Sequence, residues 1–212
     1  IYDNIRKFIR FLLALNFTEL ILIGSFAIIG LPVPLLPVMI LWLNLVTDGP
    51  PAVALSMDPS AEDVMQKPPR SPKEGIMHGM VFFIFASTLI QLVAEIGVFW
   101  WGYGVVGSVE KARTMVFLVA CFFELIVVWN CRSERRNAFR VGFLTNKSLL
   151  IAVIVSVFST LAVIYIPPLP AMFQTVPLNL LEWTLVISLS SLGFLVVPEI
   201  FIQKIRNNNP RA

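Results

Sequence analysis

The stretch LWLNLVTDGPPAVAL, residues 41–55, decides how this chain is interpreted. It is apolar enough to lie in a membrane, yet it contains an ionisable carboxylate, Asp48, and two consecutive helix breakers, Pro50 and Pro51. An aspartate at the centre of a membrane helix costs about 2.5–3.5 kcal/mol on insertion scales. A cost of that size indicates a functional group that faces the interior of a helix bundle rather than lipid.

The composition of the whole chain is that of a membrane protein. Of its 212 residues, 57% are hydrophobic and 14% are charged, whereas a soluble domain carries about a quarter charged residues. A spanning helix needs roughly 20 mostly apolar residues, and six stretches qualify: about 8–31, 34–57, 77–102, 113–131, 148–166 and 179–203. We therefore predict an all-α membrane protein, a bundle of six transmembrane helices whose second span is unwound at Gly49-Pro50-Pro51.

The distribution of Lys and Arg predicts the orientation of these spans. The two termini and the connections 58–76 and 132–147 together hold 14 basic residues, and the other three connections hold 2. Because basic residues concentrate on the cytoplasmic side, both termini and the 58–76 loop are expected in the cytoplasm. The net charge of +3, without a basic stripe, excludes nucleic acid as a partner and leaves membrane lipid.

Three of the spans place oxygen-bearing side chains on one helix face. Side chains three or four residues apart are neighbours on a helix. The candidates are Asn16 and Glu19 in the first span, Asn44, Thr47 and Asp48 in the second, and Glu124 in the fourth. All of them offer oxygen ligands, which suit a hard cation such as Ca2+ and disfavour copper or zinc. We predict a metal site made of these six residues.

The prolines of the second span fit the same site. Pro50 cannot donate a hydrogen bond to the carbonyl of Val46, and Pro51 cannot donate to that of Thr47. At membrane depth a freed carbonyl is tolerated where it lines a cavity or meets an ion. We therefore expect Asp48 and the prolines to belong to one cation site.

Four other polar or reactive side chains are assigned packing roles. Glu95 in the third span could join the cluster, but it lies closer to the outer end of the span, so an interfacial or interhelical role is favoured for it. Gln91 is interpreted as an interhelical hydrogen-bonding group. Cys121 and Cys131 lie ten residues apart on one predicted helix, about 15 Å along its axis. That distance is too long for a disulfide, so both are expected to be packing residues.

Several strings resemble the P-type Ca2+-ATPases of the reticulum type. LWLNLVTDGPPAVAL, with KPPRSPKEGI at residues 67–76, resembles their sixth transmembrane helix and the cytoplasmic loop after it. YDNIRKFIRFLLALNFTELI at 2–21 resembles the fifth helix, and VPEIFIQKI at 197–205 the last. The resemblance implies that residues 1–212 are the C-terminal transmembrane domain, helices five to ten of a ten-helix pump.

The resemblance also implies how the six residues would divide between two calcium ions. Asp48 would bridge both ions. Asn16, Glu19, Thr47 and Glu124 would serve one ion, and Asn44 the other, together with groups of the fourth helix. The pump would export Ca2+ from the cytoplasm. Proton countertransport is expected, because neighbouring buried carboxylates favour protonation once the cation has left.

The resemblance implies further partners. ATP and Mg2+ would be used by phosphorylation and nucleotide domains elsewhere in the pump, and these, an actuator domain and the first four helices would be the partners of this chain. The chain has no DKTGT phosphorylation motif, so no catalytic residue is predicted within it. The connection between the third and fourth spans is short, which favours the plasma membrane of a prokaryote over a reticulum membrane. Two alternatives stay open: a P-type pump for Mn2+, Na+ or H+, and a stand-alone six-helix channel or carrier.

Overall fold

The computed structural model describes residues 2–59, 77, 80–133 and 138–196. Over these ranges the chain is helical and forms no strand, which confirms the predicted all-α class. Five helical segments are long and apolar enough to cross a membrane: Tyr2–Ile29, Pro37–Ser56, Val81–Val105, Val109–Asn130 and Lys147–Tyr165. They correspond to the first five predicted spans.

The sixth predicted span, 179–203, continues past the described residues. Its described part is a shorter apolar helix, Leu180–Leu195, so the count of six spans stays a prediction. Most of the predicted cytoplasmic loop, residues 60–76, also lies outside the described residues. Only its first two positions, Asp58 and Pro59, are described.

The α-helices are numbered in chain order. They are α1 Tyr2–Ile29, α2 Pro37–Trp42, α3 Gly49–Ser56, α4 Val81–Trp100, α5 Val109–Asn130, α6 Ala138–Val141, α7 Lys147–Tyr165, α8 Leu169–Phe173 and α9 Leu180–Ser190. A π-helix, Leu43–Asp48, joins α2 to α3, and a second, Trp101–Val105, continues α4. Short 3-10 turns, Phe143–Thr145 and Ser191–Leu195, follow α6 and α9.

The second span is helical through Gly49-Pro50-Pro51, where the sequence predicts an unwound segment. Helix α3 begins at Gly49 with both prolines in its first turn, where a helix does not need their missing N–H groups. The departure from α geometry lies one turn earlier, in the π-helix Leu43–Asp48. π-Helical turns are rare and occur frequently at functional sites. The prolines thus start a new helix rather than open the chain.

Helix α5 lies at the centre of the bundle. In the most apolar stretch of α5, 83% of the residues are buried, whereas the corresponding share in α7 is 28%. Helix α5 packs against α3, α4, α7 and α9. In the π-helix that continues α4, a Cβ on Gly102 would lie 2.5 Å from the Cα of Ala112, so glycine permits the close approach of this segment to α5. The central position of α5 buries Glu124 completely.

Polar caps set where three of the helices begin. Ser108 accepts a hydrogen bond from the Lys111 N–H before α5, and Asn146 accepts one from the Leu149 N–H before α7. Asn179 forms a reciprocal capping box with Glu182 before α9. Such caps satisfy backbone donors that have no partner inside the helix.

Both cysteines are packing residues, as predicted. Cys121 and Cys131 are free thiols, and both are buried against the neighbouring helices.

Candidate cation site

Three elements bring carboxylates into the bundle interior. Glu19 lies on α1, Asp48 ends the π-helix before α3, and Glu124 lies on α5. Their exposed fractions are 7%, 1% and 0%. The Glu124 carboxylate lies within electrostatic range of the other two. The structure therefore brings together the three acidic side chains that the sequence singles out.

Most oxygens of these carboxylates have no hydrogen-bond partner. Both Oδ atoms of Asp48, Oε1 of Glu19 and Oε2 of Glu124 are buried and unpaired. Buried polar atoms are nearly always hydrogen-bonded in proteins, and an uncompensated buried carboxylate is costly. A set of orphaned carboxylate oxygens fits a hard cation, which would supply the missing positive charge.

Asn44 and Thr47 adjoin the carboxylates. The Asn44 side-chain amide donates to Glu19 Oε2 at 3.3 Å and to the carbonyl of Ile40 at 2.9 Å. Thr47 is fully buried, and its Oγ1 lies 3.8 Å from Sγ of Cys121. Asn44 thus holds Glu19 from the facing helix, while Thr47 contacts the central helix α5.

Asn16 is not brought to the other five residues by any described contact. It is exposed, and its amide donates to the carbonyl of Leu12 in its own helix at 2.8 Å. Asn16 lies on the same face of α1 as Glu19, as their spacing predicts, but this face is exposed at Asn16. A role for Asn16 as a ligand would require a change of rotamer.

Two residues of α4 belong to the same polar cluster, although the sequence favoured an interfacial or interhelical role for Glu95 and an interhelical one for Gln91. Gln91 is fully buried and Glu95 is 1% exposed. The Gln91 amide donates to Glu95 Oε1 at 2.9 Å and to Glu124 Oε1 at 3.4 Å. Their i, i+4 spacing in an apolar span was the available signal. Because α4 and its π-helix continue to Val105, Glu95 lies nearer the middle of the span than its predicted bounds indicated.

One of the two carbonyls freed by proline already has a partner. Ser156 on α7 donates from Oγ to the carbonyl of Val46 at 2.7 Å. This is the acceptor that Pro50 cannot serve. In the arrangement described here this carbonyl therefore accepts a hydrogen bond from a side-chain hydroxyl, and its contact with an ion stays a prediction.

The side chains of the cluster do not form a coordination shell around one position in the arrangement described here. Within residues 2–59, 77, 80–133 and 138–196, no three Asp, Glu, His or Cys side chains are close enough to hold a metal ion as they stand. Amides hold two of the carboxylates, through Asn44 on Glu19 and Gln91 on Glu124. Side-chain rotation would be needed before three carboxylates could share one ion.

Residues 32–203 match the family described as cation transporting ATPase, C-terminus. The chain belongs to this family. A calcium-transporting ATPase of Bacillus subtilis is 39% identical over 96% of the chain. Calcium-transporting ATPase type 2C member 1 of Mus musculus is 34% identical over 100% of it, and type 2C member 2 of Homo sapiens is 36% identical over 92%.

These similarities confirm the resemblance to P-type Ca2+-transporting ATPases, which are translocases. The family and the apolar helices together identify an integral membrane protein. The chain spans 23% of the length of the Bacillus and mouse relatives and 21% of the human one.

Proposed function

We propose that this chain is the cation-binding membrane domain of an ATP-driven calcium pump, which binds Ca2+ near the bilayer midplane and exports it from the cytoplasm. The observation that carries the proposal is the buried carboxylate of Asp48, whose two oxygens have no hydrogen-bond partner and which interacts electrostatically with Glu19 and Glu124. No buried cation compensates it among the described ion pairs. Transport supplies a reason to keep such a group, because a tightly paired carboxylate could not exchange its partner for Ca2+.

The proposed ligands are the six residues predicted from the sequence. We assign Asp48 to both of two ions, as the resemblance to the Ca2+-ATPases implies, and both of its carboxylate oxygens are free of hydrogen bonds. Glu19, Thr47 and Glu124 border it and would complete one ion's shell with Asn16. Asn44 would turn its amide oxygen to the other ion, whose remaining ligands would come from outside this chain.

We further propose that protons return as calcium leaves. With no cation bound, the repulsion among Glu19, Asp48 and Glu124 would be relieved by protonation. A proton shared between the carboxyl groups of Asp48 and Glu124 would give Asp48 the hydrogen bond that it otherwise lacks. Charge movement during ion turnover should therefore depend on pH. A pump whose charge movement is the same from pH 6 to pH 8 would contradict countertransport.

The setting of the domain is part of the proposal. It would form six spans with both termini in the cytoplasm, next to four further helices and to the domains that use ATP and Mg2+. The connection between α4 with its π-helix and α5 is only residues 106–108. This compact outer face favours the plasma membrane of a prokaryote.

Equilibrium calcium binding to the purified full-length protein tests the proposal. We expect the wild type to bind about two ions and Asp48→Asn to bind none, because the variant loses the carboxylate shared by both. Glu110→Gln removes an exposed carboxylate in the first turn of α5 and should bind as the wild type does.

Mn2+ competition separates calcium from the alternative cation. Calcium that Mn2+ readily displaces, or a single bound ion, would indicate a different pump specificity and remove Glu19 and Glu124 from the ligand set. The absence of divalent binding in the wild type would overturn the calcium proposal altogether.

A further inference from the structure

We propose that Gln91 and Glu95 extend the cation site onto α4, so that both side chains provide oxygen ligands to the bound divalent cation. This inference rests on the proposed calcium-binding function. It enlarges the predicted site from three carboxylates to four, and it adds a helix on which the sequence placed no ligand.

The first support is the contact chain that joins α4 to the site. The Gln91 amide group bridges Oε1 of Glu95 and Oε1 of Glu124, at 2.9 and 3.4 Å. Glu124 is one of the six predicted ligands, and Glu95 lies within electrostatic range of it. A cation held by Glu124 would therefore lie near the side chains of Gln91 and Glu95.

The second support is a set of free oxygens. Oε1 of Gln91, Oε2 of Glu95 and Oε2 of Glu124 are all buried without a hydrogen-bond partner. Each of these side chains is at most 1% exposed. Bidentate carboxylates and amide oxygens are the donors that Ca2+ accepts, usually six to eight at a time. Gln91 donates with its nitrogen, and its oxygen has no hydrogen-bond partner.

An interhelical packing role does not require Glu95. The bond from Gln91 to Glu124 already joins α4 to α5, so a second buried acid adds charge without adding a connection. Buried carboxylates with a structural role elsewhere in the described chain are paired with a cation: Asp58 with Lys7 and Arg132, and Glu182 with Lys111. None of the described ion pairs includes Glu95. Its compensating charge must come from a bound cation or a proton.

The replacement Glu95→Gln separates a ligand from a packing residue. The variant keeps the length of the side chain and an oxygen that can accept the bond from Gln91, but it removes the charge. A packing role would tolerate this change. A ligand role would not, because calcium affinity depends on the number of charged ligands.

The experiment is equilibrium binding of calcium to the full-length protein in four forms: wild type, Glu95→Gln, Asp48→Asn and Thr88→Val. We expect Glu95→Gln to raise the half-saturating calcium concentration of one ion by about tenfold or more and to leave the other ion bound. Thr88 also lies buried on α4, where it donates to the carbonyl of Ala14 on α1 at 3.2 Å. Thr88→Val removes an interhelical bond without removing an acid, so its calcium binding should match the wild type.

The outcomes separate this inference from the proposed function. Calcium binding by Glu95→Gln equal to that of the wild type, with Asp48→Asn inactive, would overturn the role of α4 alone. A wild type that binds no calcium would overturn both proposals. If Glu95→Gln does not fold, Glu95→Asp keeps the charge and withdraws the carboxylate by one methylene. An unchanged calcium affinity in Glu95→Asp would then overturn the ligand role.

Discussion

Two aspartates at opposite ends of α3 are both buried, but they differ in the hydrogen-bond and ion-pair partners of their carboxylates. Asp48 precedes the helix and is 1% exposed, and Asp58 follows it and is 5% exposed. Oδ1 of Asp58 accepts hydrogen bonds from Arg132 Nε at 2.9 Å and Asn146 Nδ2 at 2.8 Å, and Oδ2 pairs with Lys7 Nζ at 2.6 Å. Neither carboxylate oxygen of Asp48 has a hydrogen-bond partner.

The difference shows what each carboxylate can do. Asp58 is compensated by two cations and an amide, so it fixes α1, the end of α3, the segment after α5 and the start of α7 to one another. Its contacts leave no room for an exchangeable ligand. Asp48 is left uncompensated, which costs stability and leaves its oxygens open to an ion. Burial alone does not distinguish a structural carboxylate from a binding one, whereas the partners of its oxygens do.

The largest expected effect is on folding stability without calcium. Asp58→Ala leaves Arg132 and Lys7 without their buried partner, and we expect a loss of about 3–5 kcal/mol in the free energy of unfolding. Asp48→Ala removes a carboxyl group that no buried cation compensates, so it leaves no cation without a partner and should lower that free energy much less. Denaturant unfolding of the purified full-length protein in a calcium chelator measures both. Equal losses in the two variants would show that the compensation of Asp58 is not what stabilises the fold.

The stabilisation that calcium adds should depend on Asp48 and not on Asp58. At a free calcium concentration 100 times the dissociation constant, a single bound ion stabilises the wild type by about 2.7 kcal/mol. Asp58→Asn should keep this gain from a lower starting stability, and Asp48→Asn should lose it. The gain is measured by repeating the unfolding series with and without calcium. A gain retained by Asp48→Asn would place the bound ion away from the second span.

Of the two aspartates compared, sequence reasoning singles out Asp48 and not Asp58. Mid-span acids in long apolar stretches identified Glu19, Asp48 and Glu124, because their cost in lipid is a property of each residue alone. Asp58 was assigned to a polar cytoplasmic loop. Its partners Lys7, Arg132 and Asn146 are 51, 74 and 88 residues away along the chain, and no local pattern reveals such pairings.

Other details also depended on tertiary packing. The prolines signalled a disturbed helix, but the π-helix lies one turn before them, at a position that local sequence does not fix. The partner of the Val46 carbonyl, Ser156, lies 110 residues further along the chain. Gln91 and Glu95 had the spacing of a shared helix face, and only the contact of α4 with α5 joins that face to Glu124. The outward position of Asn16 likewise depends on neighbours.

The smallest expected effect on stability comes from a neutral hydrogen bond, the one from Ser156 to the carbonyl of Val46. Ser156→Ala leaves the carbonyl of Val46 without its partner, and hydrogen bonds between membrane helices contribute about 0.6–1.7 kcal/mol. We expect a loss in that range, well below that of Asp58→Ala, and an unchanged calcium affinity, because the hydroxyl already occupies this carbonyl. Ser87→Ala is the matched control: Ser87 is also fully buried, but its Oγ has no partner, so its removal should cost less than that of Ser156. A calcium affinity that rises in Ser156→Ala would instead mean that the freed Val46 carbonyl competes for the ion, as the prolines first suggested.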